Sequence, residues 1–320
     1  MKVLVTGSSG HLGEALVRTL KQMHTDVVGA DILPSAFTTQ VGSIADRSFV
    51  KRCLVGVEKV FHTATLHKPH VATHDPQQFI DCNITGTLNL LRESAAANVK
   101  TFIFTSTTSA FGDALIPPPG SPAAWITEDV QPVPKNIYGA TKTAAEDLCQ
   151  LWQRNAGLNV LVLRTSRFFP EADDNPAMRN AYADSNLKAN EFLYRRVDIE
   201  DVVSAHLLAA ERAADIGFAK YIISASTPFL PEHLEELRQH AAQVVKKLFP
   251  EYEAIYVSRG WRMLPGIDRV YVNAKAGKEL GWQPKYDFSY ILNLLKSGAE
   301  DLRSPMARLI GSKGYHVTTR

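Results

Sequence analysis

A chain of 320 residues suggests about two domains, or one large α/β unit carrying an added lobe. Hydrophobic residues make up 45% and charged residues 21%, a balance that excludes wholesale disorder. Lys and Arg number 35 against 33 Asp and Glu, so the formal charge is only +2 and gives no electrostatic footprint for nucleic acid or a membrane surface. No apolar run approaches the length needed to span a bilayer. Met1–Gly7 reads straight into a strand and a glycine turn, without the apolar core of an export signal. Cys53, Cys82 and Cys149 are too few and too scattered for a disulfide framework or a zinc site. The expected compartment is therefore the cytoplasm.

In chain order, the pattern predicts a strand over Lys2–Thr6 and a helix over His11–Met23. A strand follows over Asp26–Ala30, then a helix near Asp46–Val55 and a strand over Lys59–His62. A long helix runs from about Pro76 to Ala97, with its proline at the start, where the missing N–H costs nothing. Next come a strand over Thr101–Ser106, a helix over Asn136–Asn155 and a strand over Asn159–Arg164. Strands apolar on both faces, alternating with helices, predict a doubly wound parallel sheet of the Rossmann type. After Arg164 the rhythm breaks into a polar, irregular stretch over Phe169–Asn190. A helix over Asp198–Arg212 and a strand over Lys220–Ser224 return to the sheet, and helices over Glu232–Lys247 and near Phe288–Leu302 follow. The expected division is a nucleotide-binding domain over 1–168, rejoined by 195–225. A small C-terminal α/β lobe for the substrate takes 169–194 and 226–320.

Gly7-Ser8-Ser9-Gly10-His11-Leu12-Gly13 lies between a predicted strand and a predicted helix. Gly7 permits a tight turn, Gly10 lets a pyrophosphate approach the backbone, and Gly13 lets helix and strand pack closely. The free N–H groups and positive end of the helix then face the phosphates. Asp31, at the end of the second strand and eighteen residues past Gly13, is placed to accept hydrogen bonds from both ribose hydroxyls. Its charge would repel a 2′-phosphate, and Ile32–Ser35 offer no Arg or Lys to bind one. The implied cofactor is NAD and not NADP.

Tyr138 and Lys142 stand four residues apart, one helical turn, on the same face. An ammonium there is expected to lower the phenol's pKa, making a base for a substrate hydroxyl while hydride leaves for a nicotinamide. The predicted strand at Thr101–Ser106 runs into hydroxyls, Thr105 to Ser109, at the carboxyl end where parallel sheets bind ligands.

Together these pieces resemble the extended short-chain dehydrogenase/reductases of the NAD-dependent epimerase/dehydratase family. The resemblance is carried by the glycine turn, Asp31, Phe61–Ala64, Asn83–Thr87, Phe104–Gly112, Tyr138–Lys142, Leu163-Arg164, Val197–Val202 and Leu280–Pro284. It implies Tyr138 as catalytic base, Lys142 as its tuner and ribose ligand, Thr107 as the catalytic hydroxyl and Asn83 as a structural asparagine. Cofactor contacts would come from Gly7, Gly10, Leu12, Gly13 and Asp31. Further contacts would come from Ser43, Ile44, Thr63, Ala64 and Thr105. It also implies a homodimer through the helices near 76–97 and 136–155.

Three positions depart from the family's pattern. Ser43 stands where an acid usually meets the adenine, Arg167 where nucleotide-sugar epimerases carry asparagine, and no acid follows Thr107, which argues against sugar dehydration. Arg167 has no acid within three residues before it, and Glu171, four residues on, lies beyond Pro170, where the chain is expected to have turned away; Arg167 is therefore expected to meet an anionic substrate such as a sugar nucleotide or phosphate. Arg195, Arg196 and Thr108 are expected beside it. His62, His67, His70 and His74 lack zinc spacing, so no metal is expected. The leading reading is a sugar 4-epimerase-like reaction through a transient ketone. The alternatives are an NAD-dependent dehydrogenase of a small anionic hydroxy compound, and an NAD-binding sensor without turnover.

Overall fold

A computed structural model describes residues 1–314. The strands are β1 (Lys2–Thr6), β2 (Asp26–Asp31), β3 (Gln40–Val41), β4 (Lys59–His62), β5 (Thr101–Thr107), β6 (Ala124–Ile126), β7 (Asn159–Thr165), β8 (Phe218–Ile223) and β9 (Arg269–Tyr271). Seven form one parallel sheet in the order β3-β2-β1-β4-β5-β7-β8. The order reverses between β1 and β4, which opens a crevice at the carboxyl ends of those strands.

The two-faced burial read from the sequence is visible strand by strand. Val3, Val5 and Ile103 join the apolar core on one side of the sheet. Leu4, Phe102 and Phe104 join the core on the other side. Successive side chains point to opposite faces, so a strand covered on both sides must be apolar throughout.

A separate core gathers the helices Asp184–Glu191, Leu234–Leu248, Tyr252–Ser258 and Phe288–Lys296. β6 and β9 form a small parallel pair, with Ala124 opposite Arg269. The helices Ala274–Leu280 and Pro305–Ile310, with Trp282, pack instead on the first core. Trp282 is buried, its Nε1 donating to Asp201 O and Ser204 Oγ, so its role is packing.

The structure differs from the sequence reading in several places. The stretch expected to be irregular holds two short helices, Pro176–Ala181 and Asp184–Glu191. The last long helix ends at Lys296 and not near Leu302. The long helix after Asp75 is interrupted by a π-turn segment, Ile80–Thr85. The strands β3, β6 and β9 are two or three residues long, too short to show a period of two.

Candidate active site

The glycine turn has the geometry its sequence requires. Gly7 sits at φ +70, and its amide donates to Ala30 O at 2.8 Å. A Cβ on Gly13 would lie 1.9 Å from Gly7 O, so only glycine lets this helix seat against β1. The helix His11–Gln22 has Gly10 at its N-cap with no side-chain cap, which leaves its first amides open toward the crevice. Asp31 closes β2, its two carboxylate oxygens accepting from Ser9 N (3.0 Å) and Leu33 N (2.9 Å). These bonds aim the carboxylate at the crevice.

The crevice is part of one cavity of about 630 Å³, within the usual range for ligand sites. Gly7, Gly10, Leu12, Gly13, Asp31, Ser43, Ile44, Thr63, Ala64 and Thr105 all line it. So do Thr107, Thr108 and Tyr138. The uncapped helix end, the glycine cradle and the aimed carboxylate fit a dinucleotide. Ser43 is engaged locally, its Oγ accepting from Ala45 N at 3.1 Å.

Thr107 ends β5, and the helix Ile137–Ala156 places Tyr138 and Lys142 beside it. Asn136 caps that helix, its Oδ1 accepting from Gly139 N at 3.0 Å. The Thr107 hydroxyl hydrogen-bonds with the Tyr138 phenol, and both residues are buried. Asn83, in the π segment, holds the helix Ile137–Ala156 to the loop after β4. Its Oδ1 accepts from Leu66 N and Thr65 Oγ1, and its Nδ2 donates to Leu66 O and Thr141 Oγ1, all between 2.9 and 3.0 Å. That is the structural role the resemblance implied.

The expected lowering of the phenol's pKa is not found. Burial pushes Tyr138 up to about 12, with only the Thr107 bond opposing it. Lys142 is turned away, its Nζ donating to Thr105 O at 2.6 Å above the Phe104 ring. Burial brings that ammonium down to about 8. The helix does set Tyr138 and Lys142 on one face, but here the lysine spends its proton on a backbone carbonyl.

The arginine reading needs correction. Arg167 Nη1 already pairs with Asp173 Oδ2 at 2.7 Å, which removes the argument that its partner must be a ligand. Asp173 lies six residues on, beyond Pro170, and the chain folds back to bring it to Arg167. Arg195 pairs with Asp173 and Glu191, and Arg196 with Glu191 and Phe169 O. Arg167 and Arg195 still line the cavity, whereas Arg196 is a buried structural cation outside it. Among the described residues, no group of three or more His, Cys, Asp or Glu is arranged to hold a metal.

The partners of Arg164 and the packing of residues 312–314 carried no sequence signal. Arg164 is buried and grips Glu146, one helical turn beyond Lys142, through Nε (3.0 Å) and Nη2 (2.7 Å). Residues 312–314 return to the glycine turn. Ser312 Oγ, Lys313 N and Gly314 N donate to Glu171 Oε1, as does His11 Nε2 at 3.0 Å. Lys313 Nζ donates to Glu14 at 2.5 Å, and Lys313 and Gly314 line the cavity. Arg269 and Tyr271 line it too. These contacts join residues far apart in the chain, beyond the reach of any spacing rule.

Fold and site together define a dinucleotide-binding enzyme of the short-chain dehydrogenase/reductase type. The chain belongs to the NAD dependent epimerase/dehydratase family, which residues 3–223 match. Among relatives, the Sinorhizobium fredii protein y4nG is 27% identical over 314 residues, covering 90% of this chain and 76% of that one. Among solved structures, a short-chain dehydrogenase/reductase from Agrobacterium tumefaciens with bound NAD has a TM-score of 0.66 at 22% identity, covering 93% and 96% of the two chains. A UDP-glucose 4-epimerase from Thermotoga maritima, with UDP-glucose, has a TM-score of 0.61 at 25% identity, covering 90% and 94%. Among the described residues, no helix is long and apolar enough to cross a membrane.

Proposed function

We propose that the protein oxidises and re-reduces a secondary alcohol, in the manner of a sugar 4-epimerase that keeps its NAD between steps. The carrying observation is that Thr107 and Tyr138 line the same cavity as the glycine turn and Asp31, with Lys142 one helical turn beyond Tyr138 and held behind the cavity wall on Thr105 O. NAD, when bound, supplies the hydride acceptor and donor. The Thr107 and Tyr138 oxygens hold the substrate hydroxyl, and Tyr138 Oη takes its proton. A phenol raised by burial needs help to hold that charge. Lys142, released from Thr105 O, is the nearby cation able to give it.

Retention of the cofactor is supported by the segment 312–314, which lies over the glycine turn and is tied down at Glu14 and Glu171. The second reading is a dehydrogenase that exchanges NAD. Two measurements separate them: NAD released on denaturing the purified protein, and NADH absorbance with a panel of sugars and sugar nucleotides. Retained NAD with product epimers and no net NADH supports the cycle. An empty site with steady NADH formation supports the dehydrogenase. Tyr138→Phe keeps the ring and removes the proton acceptor, with an expected rate loss of about 10²–10⁴-fold. Near-normal turnover in that variant refutes Tyr138 as the base.

A further inference from the structure

Six cations line the cavity: Lys68, Lys135, Arg167, Arg195, Arg269 and Lys313. Four are matched by acids. Lys68 pairs with Asp174, Arg167 with Asp173, Arg195 with Asp173 and Glu191, and Lys313 with Glu14. Lys135 is exposed and solvated. Arg269 is different, because it is half-buried and its guanidinium makes no hydrogen bond or ion pair among the described residues, its covered Nε included. The neighbouring acid, Asp268, is committed to Arg238.

The backbone fixes where Arg269 points. In β9 the side chains alternate: Val270 is buried in the lobe core, while Arg269 and Tyr271 both face the cavity. The local charge is already positive without Arg269. Arg167, Arg195 and Arg196 share two carboxylates, Asp173 and Glu191. A fourth guanidinium, unmatched by any acid, is unfavourable there unless an anion joins it.

We propose that Arg269 recognises an anionic oxygen group of the substrate, a carboxylate or a phosphate, and so sets specificity. This rests on the reading that the cavity beside Tyr138 holds the substrate. A guanidinium offers a planar fork of donors that matches two oxygens of such a group, which a lysine cannot reproduce. The matched arginines, Arg167 and Arg195, supply background potential and hold the wall in shape.

The test is binding, without turnover. NAD-loaded wild type, Arg269→Met, Arg269→Lys and Lys135→Ala are titrated calorimetrically with glucose, glucuronate, glucose 1-phosphate and UDP-glucose. Wild type should prefer at least one anionic probe to glucose. Whether glucuronate or the phosphates win tells carboxylate from phosphate. Arg269→Met should weaken the preferred anion by roughly ten- to a hundredfold, leaving glucose and NAD affinities unchanged. Arg269→Lys should recover only part of the loss. The proposal is overturned if wild type binds glucose as well as every anion. It is also overturned if Arg269→Met keeps the anion preference, or if Lys135→Ala abolishes it instead. Tyr138→Phe should keep the ratio of anion to glucose affinity while losing turnover, so a wrong base and a wrong anion site fail in different assays.

Discussion

Glu146 is buried between two cations, and neutralising it should be costly. It is fully buried and accepts from Ser106 Oγ (2.6 Å), from Arg164 Nε and Nη2, and from Lys220 Nζ (2.9 Å). Burial alone would raise its pKa, but Arg164 and Lys220 outweigh burial and hold the carboxyl below its usual range. Glu146→Gln keeps the shape and removes the charge, which strands the Arg164 guanidinium in the interior. Breaking a buried pair in this way costs about 3–5 kcal/mol. An unfolding entropy near 2.1 cal/mol/K per residue turns that into a Tm drop of roughly 4–7 °C for a chain of this length. Thermal unfolding followed by fluorescence reads it directly. The double variant Glu146→Leu with Arg164→Met removes both charges and should return to within roughly 1–2 °C of wild type. The active site should register the change too. Burial holds Lys142 down to about 8 and Glu146 works against it, so Glu146→Gln should move the lysine lower and shift the pH profile of turnover in the same direction. A Tm change under 1 °C in the single variant, or a double variant worse than the two singles combined, refutes the reasoning.

Asp31→Ala should weaken NAD and narrow its margin over NADP, because the carboxylate aimed at the ribose is gone; fluorescence titration of both cofactors checks it, and tighter NADP than NAD binding in wild type contradicts it. Burial raises the Glu171 carboxyl, but His11 and Ser312 bring it down to about 2, from an ordinary value of 4.5. Its contribution to stability is therefore complete above pH 4.5 and lost as pH falls toward 2. Glu171→Gln should lower Tm at neutral pH, with the gap to wild type closing only below pH 4.5; a gap that closes between pH 8 and 5 points to another group.

Local chemistry was legible in the sequence because it depends on short spacings. Gly7 needs its positive φ, Gly13 needs its missing Cβ, and Asp31 ends a strand whose register with β1 is fixed. Tyr138 and Lys142 share a face because a helix turns in 3.6 residues, and the apolar strands announced a sheet covered on both sides. The arrangement of charges was decided by tertiary structure alone. Whether Arg167, Arg195 or Arg269 is free depends on which acids the folded chain carries to them, and Asp173 and Glu191 reach two of the three. Lys142's lowered pKa follows from its burial, which only the folded chain creates. The tie between residue 313 and Glu14 spans almost the whole chain. Hydrogen bonds and ion pairs act over a few ångströms of space, and sequence distance does not measure that.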